Sequence, residues 1–143
     1  MKTEYARSFK DLRVYQKARD VSRVVFRLSK SFPREEMYSL TDQIRRASRS
    51  IGAQIAEAWG KRRYEKSFVS KLTDADAEQM ETQHWVGEAL ECGYITSPDA
   101  DHLTSNLEEI GRMLNSMIEK AESFCSPPGT TLREPESEYF INP

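Results

Sequence analysis

The sequence has few of the residues that build disulfide frameworks and metal centres. Its 143 residues include two cysteines and two histidines. Two cysteines are too few for a disulfide framework, and we expect both to be reduced thiols. Glu81-x-x-His84 is half of a motif that di-iron bundles carry twice, together with two further inward glutamates. The sequence therefore predicts neither a metal site nor a cofactor.

Long apolar runs and glycine-rich phosphate loops are also absent. No run approaches the roughly 20 apolar residues of a membrane-spanning helix, and Met1–Lys10 lacks the apolar core of a secretory signal. The motifs G-x-x-x-x-G-K-[ST] and G-x-G-x-x-G do not occur, and no acid–base pair marks a catalytic site. We therefore expect a cytoplasmic protein without membrane contact, small-molecule substrate or enzymatic activity.

Helical periodicity is the strongest feature that the sequence does have. Apolar residues recur at steps of three and four along four segments, which places them on one face of an α-helix. Short connections follow the segments, and short loops favour antiparallel neighbours. The sequence therefore predicts an all-α fold, an antiparallel up-down-up-down four-helix bundle. The predicted helices span about residues 11–31, 37–59, 65–92 and 99–124.

The third predicted helix has the weakest apolar stripe. The middle of this helix is polar, so the stripe is interrupted there. The stripe consists of Phe68, Leu72, Ala75, Val86 and Leu90.

Composition changes near residue 126. Residues 1–125 form the predicted bundle, whereas residues 126–143 are rich in proline and acidic residues. Such a segment cannot continue a helix, and we expect it to be disordered or to act as a docking arm. Tyr139-Phe140-Ile141 is its one apolar spot, with a free tail as the more common outcome.

The net charge of −2 conceals two halves of opposite sign. Residues 1–63 contain 16 basic and 7 acidic residues, a net of +9, whereas residues 64–143 contain 5 and 16, a net of −11. This asymmetry indicates contact with nucleic acid or self-assembly through opposite charges. Two solvated helix faces of opposite sign would give the same pattern.

Basic residues of the first two helices are the candidate contacts for RNA phosphates. At about 100° per residue, those of the second helix lie away from its apolar stripe and those of the first helix lie on a flank. Three more follow the predicted end of the second helix. A protein that neutralises phosphates with several such side chains would bind RNA in a salt-dependent way. The candidates are Arg13, Lys17, Arg45, Arg46, Arg49, Lys61, Arg62 and Arg63.

Three glutamates are candidates for ion pairs or for an interface between subunits. Glu57 lies beside the apolar stripe of the second helix, and we expect an interhelical or intersubunit pair with an arginine. Glu78 and Glu81 lie on the outer face of the third helix. If an interface buries the second helix, they would pair with Arg45 and Arg46 of a neighbouring copy.

Several blocks of the sequence resemble one known family. These are FKDLRVYQKA at 9–18, FPREE at 32–36, YSLTDQIRRA at 38–47, SIGAQIAE at 50–57 and GYI at 93–95. Blocks of this kind, in this order, are similar to the four-helix bundle proteins encoded in intervening sequences of bacterial large-subunit ribosomal RNA genes. The resemblance covers about residues 9–120.

The resemblance implies a cytosolic four-helix bundle that assembles as a homopentameric ring. It extends distantly to the accessory proteins of diversity-generating retroelements, which bind RNA and a protein partner, a reverse transcriptase. Two hypotheses result. The first is a non-catalytic oligomer that binds RNA or a ribonucleoprotein through its basic helices. The second is a structural ring whose charge asymmetry serves self-assembly and the docking of a protein partner.

Overall fold

Four long helices make up most of the computed structural model, which describes residues 8–125 and 139–141. The predicted all-α bundle is confirmed. The prediction that residues 126–138 are disordered lies outside the described residues. The helices are α1 (Arg13–Ser29), α2 (Asp42–Gly60), α3 (Glu65–Glu91), α4 (Ser97–Glu119) and the short α5 (Ala121–Phe124).

Each helix runs antiparallel to the next because the connections are short. Four residues join α2 to α3 and five join α3 to α4. A 3-10 turn (Arg34–Glu36) and a π turn (Met37–Thr41) join α1 to α2. α1 packs on α2 and α4, and α3 packs on the same two helices. The end where α2 and α4 terminate is called the docking pole below, and the other end is the opposite pole.

The predicted apolar stripes form the core, with one correction in α3. Its buried residues step regularly by three and four through the polar middle of the helix, so that Gln79 and Thr82 are themselves buried. The same step reaches Val86 and then Ala89. The prediction of Leu90 as a core residue is therefore wrong, because this side chain lies one position beyond the buried row and is exposed.

A polar layer crosses the core between α3 and α4. Gln79 Nε2 donates to Asp76 Oδ1 at 2.9 Å, and Gln79 Oε1 accepts from Gln83 Nε2 at 2.7 Å. These bonds satisfy the buried amide, which would otherwise be costly to desolvate. Gly111 of α4 leaves room for it, since a Cβ there would lie 2.8 Å from Gln79 Nε2.

The turn between α3 and α4 is specified by local sequence. Gly93 has a φ of 77°, the left-handed conformation that glycine adopts without steric cost after a helix end. Thr96 and Asp99 then form a capping box at the start of α4. Pro98 lies in the first turn, where its missing N–H costs nothing. The start of α4 is thereby fixed two residues before the predicted one.

A hydrogen-bonded cluster fastens the α1–α2 connection to the end of α3 at the opposite pole. The Tyr94 hydroxyl donates to Glu36 Oε2 at 2.8 Å, and the Ser39 hydroxyl donates to Oε1 at 2.7 Å. These two hydrogen bonds, that from Ser39 first, lower the pKa of Glu36. The bond to Glu36, aided by burial, raises the pKa of Tyr94 to about 12.

Glu36→Gln is expected to bring the pKa of Tyr94 back toward 10.0, its ordinary value. The phenolate of Tyr94 can no longer donate and would face a carboxylate, so the neutral phenol is favoured while Glu36 is ionised. While Glu36 is ionised, the Tyr94–Glu36 contact stabilises the fold fully up to about pH 10, and this contribution is lost as pH rises through about 12. Because the pKa of Glu36 is lowered, the contribution is also lost at acid pH, as pH falls through the pKa of Glu36 in the folded chain. NMR titration of the tyrosine ring carbons, assigned with Tyr94→Phe, measures both values. An unchanged Tyr94 titration in the Gln variant would contradict the assignment.

Candidate nucleic-acid interface

The structure separates the eight candidate cations into three groups. Lys17 forms an ion pair with Glu109 at 3.0 Å, and Arg46 forms a longer one with Asp42 at 3.9 Å. Arg45 and Arg49 lie together on the α1–α2 face, around Phe26. The remaining four lie at the docking pole, and they are Arg13, Lys61, Arg62 and Arg63.

Three cations surround one aromatic ring on the α1–α2 face. Lys30 Nζ and the guanidinium carbon of Arg45 each lie 4.8 Å from the centroid of Phe26, and that of Arg49 lies at 5.4 Å. These distances are within the range of cation–π attraction. The Phe26 residue is 37% exposed, so the group is accessible from solvent. We call these four residues the Phe26 cluster.

Helix geometry explains why these four residues meet. Phe26 lies in the last turn of α1, four residues before Lys30, which caps the helix in an α-helical conformation, and Arg45 and Arg49 are four apart on α2. Residues at this spacing lie on the same helix face, and the two antiparallel helices place these faces side by side. Arg45 is also fixed across the interface, because its Nε donates to the Ser29 hydroxyl at 2.7 Å.

The positive charge of the Phe26 cluster is not compensated by nearby acids. Over residues 8–125 and 139–141, no carboxylate lies within 4.0 Å of the charged nitrogens of Lys30, Arg45 or Arg49. Three adjacent cations repel one another and attract a polyanion. The arrangement is suited to binding phosphate groups, with arginine able to bind two phosphate oxygens at once.

The cations of the docking pole are partly occupied by contacts within the chain. The Arg62 guanidinium carbon lies 3.5 Å from the centroid of the Trp59 ring, and its Nε donates to the Trp59 carbonyl at 2.9 Å. Burial lowers the pKa of Arg62. Arg13 Nε donates to the Phe140 carbonyl at 3.2 Å. Lys61 and Arg63 are exposed and about 18 Å along α2 from Arg49, at 1.5 Å per residue.

Two of the three candidate glutamates have partners inside the chain. Glu57 Oε1 lies 3.7 Å from Nζ of Lys71, which is an interhelical ion pair with a lysine of α3. Glu81 Oε2 accepts from the indole N–H of Trp85 at 3.0 Å, one turn along the same helix. Both contacts lie at exposed positions and contribute little to stability.

Glu78 differs from the other two because it is partly buried between α2 and α3. Burial raises its pKa, and repulsion from Glu81 acts in the same direction. A hydrogen bond from Ser50 and the charge of Arg46 oppose the rise. Arg46 therefore faces the α3 side of α2, away from the Phe26 cluster.

The described part of the chain contains neither a group of metal ligands nor a membrane-spanning helix. His84 lies 3.9 Å from Glu88 and packs edge-on against Trp85 at 4.7 Å between ring centroids. Across residues 8–125 and 139–141, no three side chains of histidine, cysteine or acid type converge on one point. Among the helices described above, none is long and apolar enough to cross a membrane.

The two thiols are expected to react at very different rates. Both are free in the structure, Cys92 exposed and Cys125 half-buried. Burial raises the pKa of Cys125 to about 11, and the thiolate is the reactive form. At pH 8 we expect Cys125 to react with a disulfide reagent at least about tenfold more slowly than the exposed Cys92, because burial limits both its thiolate fraction and the access of the reagent. Reaction kinetics of Cys92→Ser and Cys125→Ser separate the sites, and equal rates would contradict this placement.

Comparison with known proteins decides the family. Residues 10–116 match the family model of the 23S rRNA-intervening sequence protein. The chain belongs to this family. The resemblance of the sequence blocks between residues 9 and 95 is thereby confirmed, and the family match includes every residue of the Phe26 cluster. It ends before Cys125 and before the Tyr139–Ile141 segment.

A solved structure supports the same fold for the family. It is a protein of unknown function from the S23 ribosomal protein family of Bacteroides thetaiotaomicron, with 29% sequence identity and a TM-score of 0.67. The similarity covers 74% of this chain and 98% of that one. No curated protein matches the sequence. The family membership therefore establishes a fold and leaves the activity to be argued from the site.

The sequence reasoning missed Phe26 as a member of the site. Phe26 lies off the apolar stripe of α1, beside the buried Val25 and among Arg23, Arg27 and Lys30. The available signal was an aromatic residue on the charged side of an amphipathic helix, because an aromatic side chain at such a position does not contribute to the hydrophobic core.

Proposed function

We propose that this chain is a non-catalytic, oligomeric bundle protein that binds RNA or a ribonucleoprotein through the basic α1–α2 face. The Phe26 cluster is the observation that carries the proposal. Three cations lie within 5.4 Å of one exposed ring, and none has a carboxylate partner among the described residues. Phosphate groups would relieve this repulsion and supply the missing counter-charge.

The spread of cations along α2 favours a polyanion over a small anion. Arg45 and Arg49 lie in the first two turns of α2, and Lys61 and Arg63 follow its other end, about 18 Å further on. A strand of RNA can contact both groups at once, whereas a single phosphate ester can contact only one.

Subunit assembly is the second candidate, and the acidic side of the bundle supports it. The exposed face of α3 carries Glu81 and Glu88, and α4 carries Glu108, while the opposite face is basic. Faces of opposite sign on different copies can meet head to tail and close a ring, and a homopentamer agrees with the family resemblance. This alternative predicts that high salt dissociates the oligomer and that RNA has no effect.

Fluorescence anisotropy with an end-labelled single-stranded RNA of roughly 20 nucleotides tests the first proposal. We expect binding at about 50 mM salt that weakens by at least tenfold at about 200 mM, because phosphate neutralisation releases counterions. Arg49→Glu is expected to weaken this binding, and its matched control is Arg112→Glu, which makes the same charge change at an exposed site on α4, away from the Phe26 cluster. Absence of binding at the lower salt would refute the RNA proposal and leave assembly as the role of the charge.

A further inference from the structure

The docking pole holds a segment that is distant in sequence. Phe140 forms an isolated antiparallel bridge with Leu12, and the Ile141 N–H donates to the Asp11 carbonyl at 2.8 Å. Antiparallel backbone pairing of this kind is how proteins recognise extended peptides. Of the two alternatives for the tail, the structure therefore shows docking for residues 139–141.

Tyr139 is the deeper of two aromatic anchors in this segment. Its exposure is 6%, and its ring packs edge-on against Phe124 at 5.0 Å between centroids. Its hydroxyl forms a hydrogen bond with the Ser116 hydroxyl at 2.7 Å. An aromatic ring buried with its hydroxyl satisfied is a typical specificity element.

Phe140 is the second anchor and contacts the ends of α1 and α2. Its ring packs edge-on against Trp59 at 6.2 Å between centroids. Its carbonyl accepts from Arg13 Nε, whose charge strengthens the hydrogen bond. Together Leu12, Trp59, Ser116 and Phe124 define a groove with one backbone edge and two aromatic contact sites, which we call the docking groove.

The occupant of the docking groove is joined to the bundle by a long connection. Thirteen residues, 126–138, separate Cys125 from Tyr139 in the sequence, enough to span at most about 45 Å. A contact that involves only three residues buries little surface and can therefore open and reform. The same connection allows the segment of one copy to reach the docking groove of another.

We propose that the docking groove is an exchangeable peptide site whose partner is the Tyr139–Ile141 segment of a second copy of this chain. Recognition combines backbone pairing at residues 11–12 with the two aromatic anchors. Within one copy the groove holds its own segment, which competes with the incoming one. This inference concerns binding between chains and is independent of RNA binding.

A synthetic peptide of residues 137–143 tests the docking groove in the full chain. Tyr139→Ala/Phe140→Ala vacates the groove, and we expect this variant to bind the labelled peptide at least tenfold more tightly than the wild-type chain does. In the wild type the tethered segment competes at an effective concentration on the order of 1 mM. A peptide with both aromatic residues replaced by alanine is the control ligand, and Tyr38→Ala, at the opposite pole, is the control chain.

Two results would overturn the peptide site. One is a double variant that retains its helical circular dichroism and its melting transition and yet does not bind the peptide. The other is equal binding by variant and wild type, which would mean that the segment does not occupy the groove. If the double variant fails to fold, Phe140→Ala alone weakens the tethered segment while it retains the buried Tyr139, and the peptide should then bind more tightly than to the wild type, by a smaller factor.

A mixture of two full-length chains tests whether the Tyr139–Ile141 segment of one copy binds the docking groove of another. Labelled wild-type chain should associate with the unlabelled Tyr139→Ala/Phe140→Ala variant, and excess peptide of residues 137–143 should reverse this association. Association through the acidic and basic faces would instead respond to salt and not to the peptide. If the peptide does not reduce the association, the proposal that the segment of a second copy occupies the docking groove is wrong.

Discussion

Reversing the charges of Arg45 and Arg49 together is expected to weaken RNA binding at least 100-fold at about 100 mM salt. A hydrogen bond between ionised groups contributes about 1.5–3 kcal/mol, so the loss of two corresponds to roughly 100-fold or more. The introduced glutamates also repel the phosphates. Anisotropy titrations of the wild type and of Arg45→Glu/Arg49→Glu against the same RNA measure the change.

The single reversal Arg49→Glu has a matched control in Arg112→Glu, which makes the same change in net charge. Arg112 is exposed on α4, so its reversal changes the net charge of the chain without touching the α1–α2 face. We expect Arg112→Glu to weaken binding less than threefold. An equal loss for Arg49→Glu and Arg112→Glu would mean that RNA responds to net charge alone, which would contradict a site at the Phe26 cluster.

Phe68→Ala is expected to destabilise the bundle by about 3–5 kcal/mol, the cost of removing a buried phenylalanine and leaving a cavity. Phe68 is 0% exposed, and its ring stacks on Phe124 with 5.7 Å between centroids. Phe124 in turn contacts Tyr139, so the cavity would lie beside the docking groove. Chemical denaturation of the variant and the wild type measures the change in the free energy of unfolding.

Tyr64→Ala provides the comparison for Phe68→Ala. Tyr64 immediately precedes α3, one turn from Phe68, and is 60% exposed. Its truncation should change the free energy of unfolding by about 0.5 kcal/mol or less. Similar losses for the two variants would show that Phe68 is not part of a packed core at this pole.

The helices and their order could be predicted from the sequence because periodicity is a local property. Steps of three and four identify the buried face of each helix without knowledge of its neighbours. The failure at Leu90 has a physical cause. Gln79 and Thr82 continue the buried row of α3, but polar residues give no hydrophobic signal. The burial of Gln79 depends on Asp76 and Gly111, and the Thr82 hydroxyl donates to the Glu78 carbonyl.

The candidate site was only partly predictable. Arg45, Arg46 and Arg49 form one cluster in the sequence, but at about 100° per residue Arg45 and Arg49 lie about 40° apart around α2, whereas Arg46 lies about 100° from Arg45. The structure accordingly places Arg46 toward α3 and Glu78. The periodicity of α2 does not tell which helix packs beside the face that carries Arg45 and Arg49. The contact with Phe26 of α1 therefore could not be predicted from it.

The docking of Tyr139–Ile141 was not predictable from local sequence for the same reason. The hydrogen bond from Arg13 to the Phe140 carbonyl joins residues 127 positions apart. A short apolar spot in a proline-rich segment has no period from which a partner could be inferred. Its destination depends on a groove that exists only after the four helices have packed.

The salt dependence of RNA binding is the measurement that tests the central claim most directly. The slope of log K against log salt is about −0.7 per neutralised phosphate on a single strand. If Arg45 and Arg49 each neutralise one phosphate, the slope of Arg45→Gln/Arg49→Gln should be shallower than that of the wild type by about 1.4. An unchanged slope, or a wild type that binds no RNA at about 50 mM salt, would contradict the claim that the Phe26 cluster binds the RNA backbone.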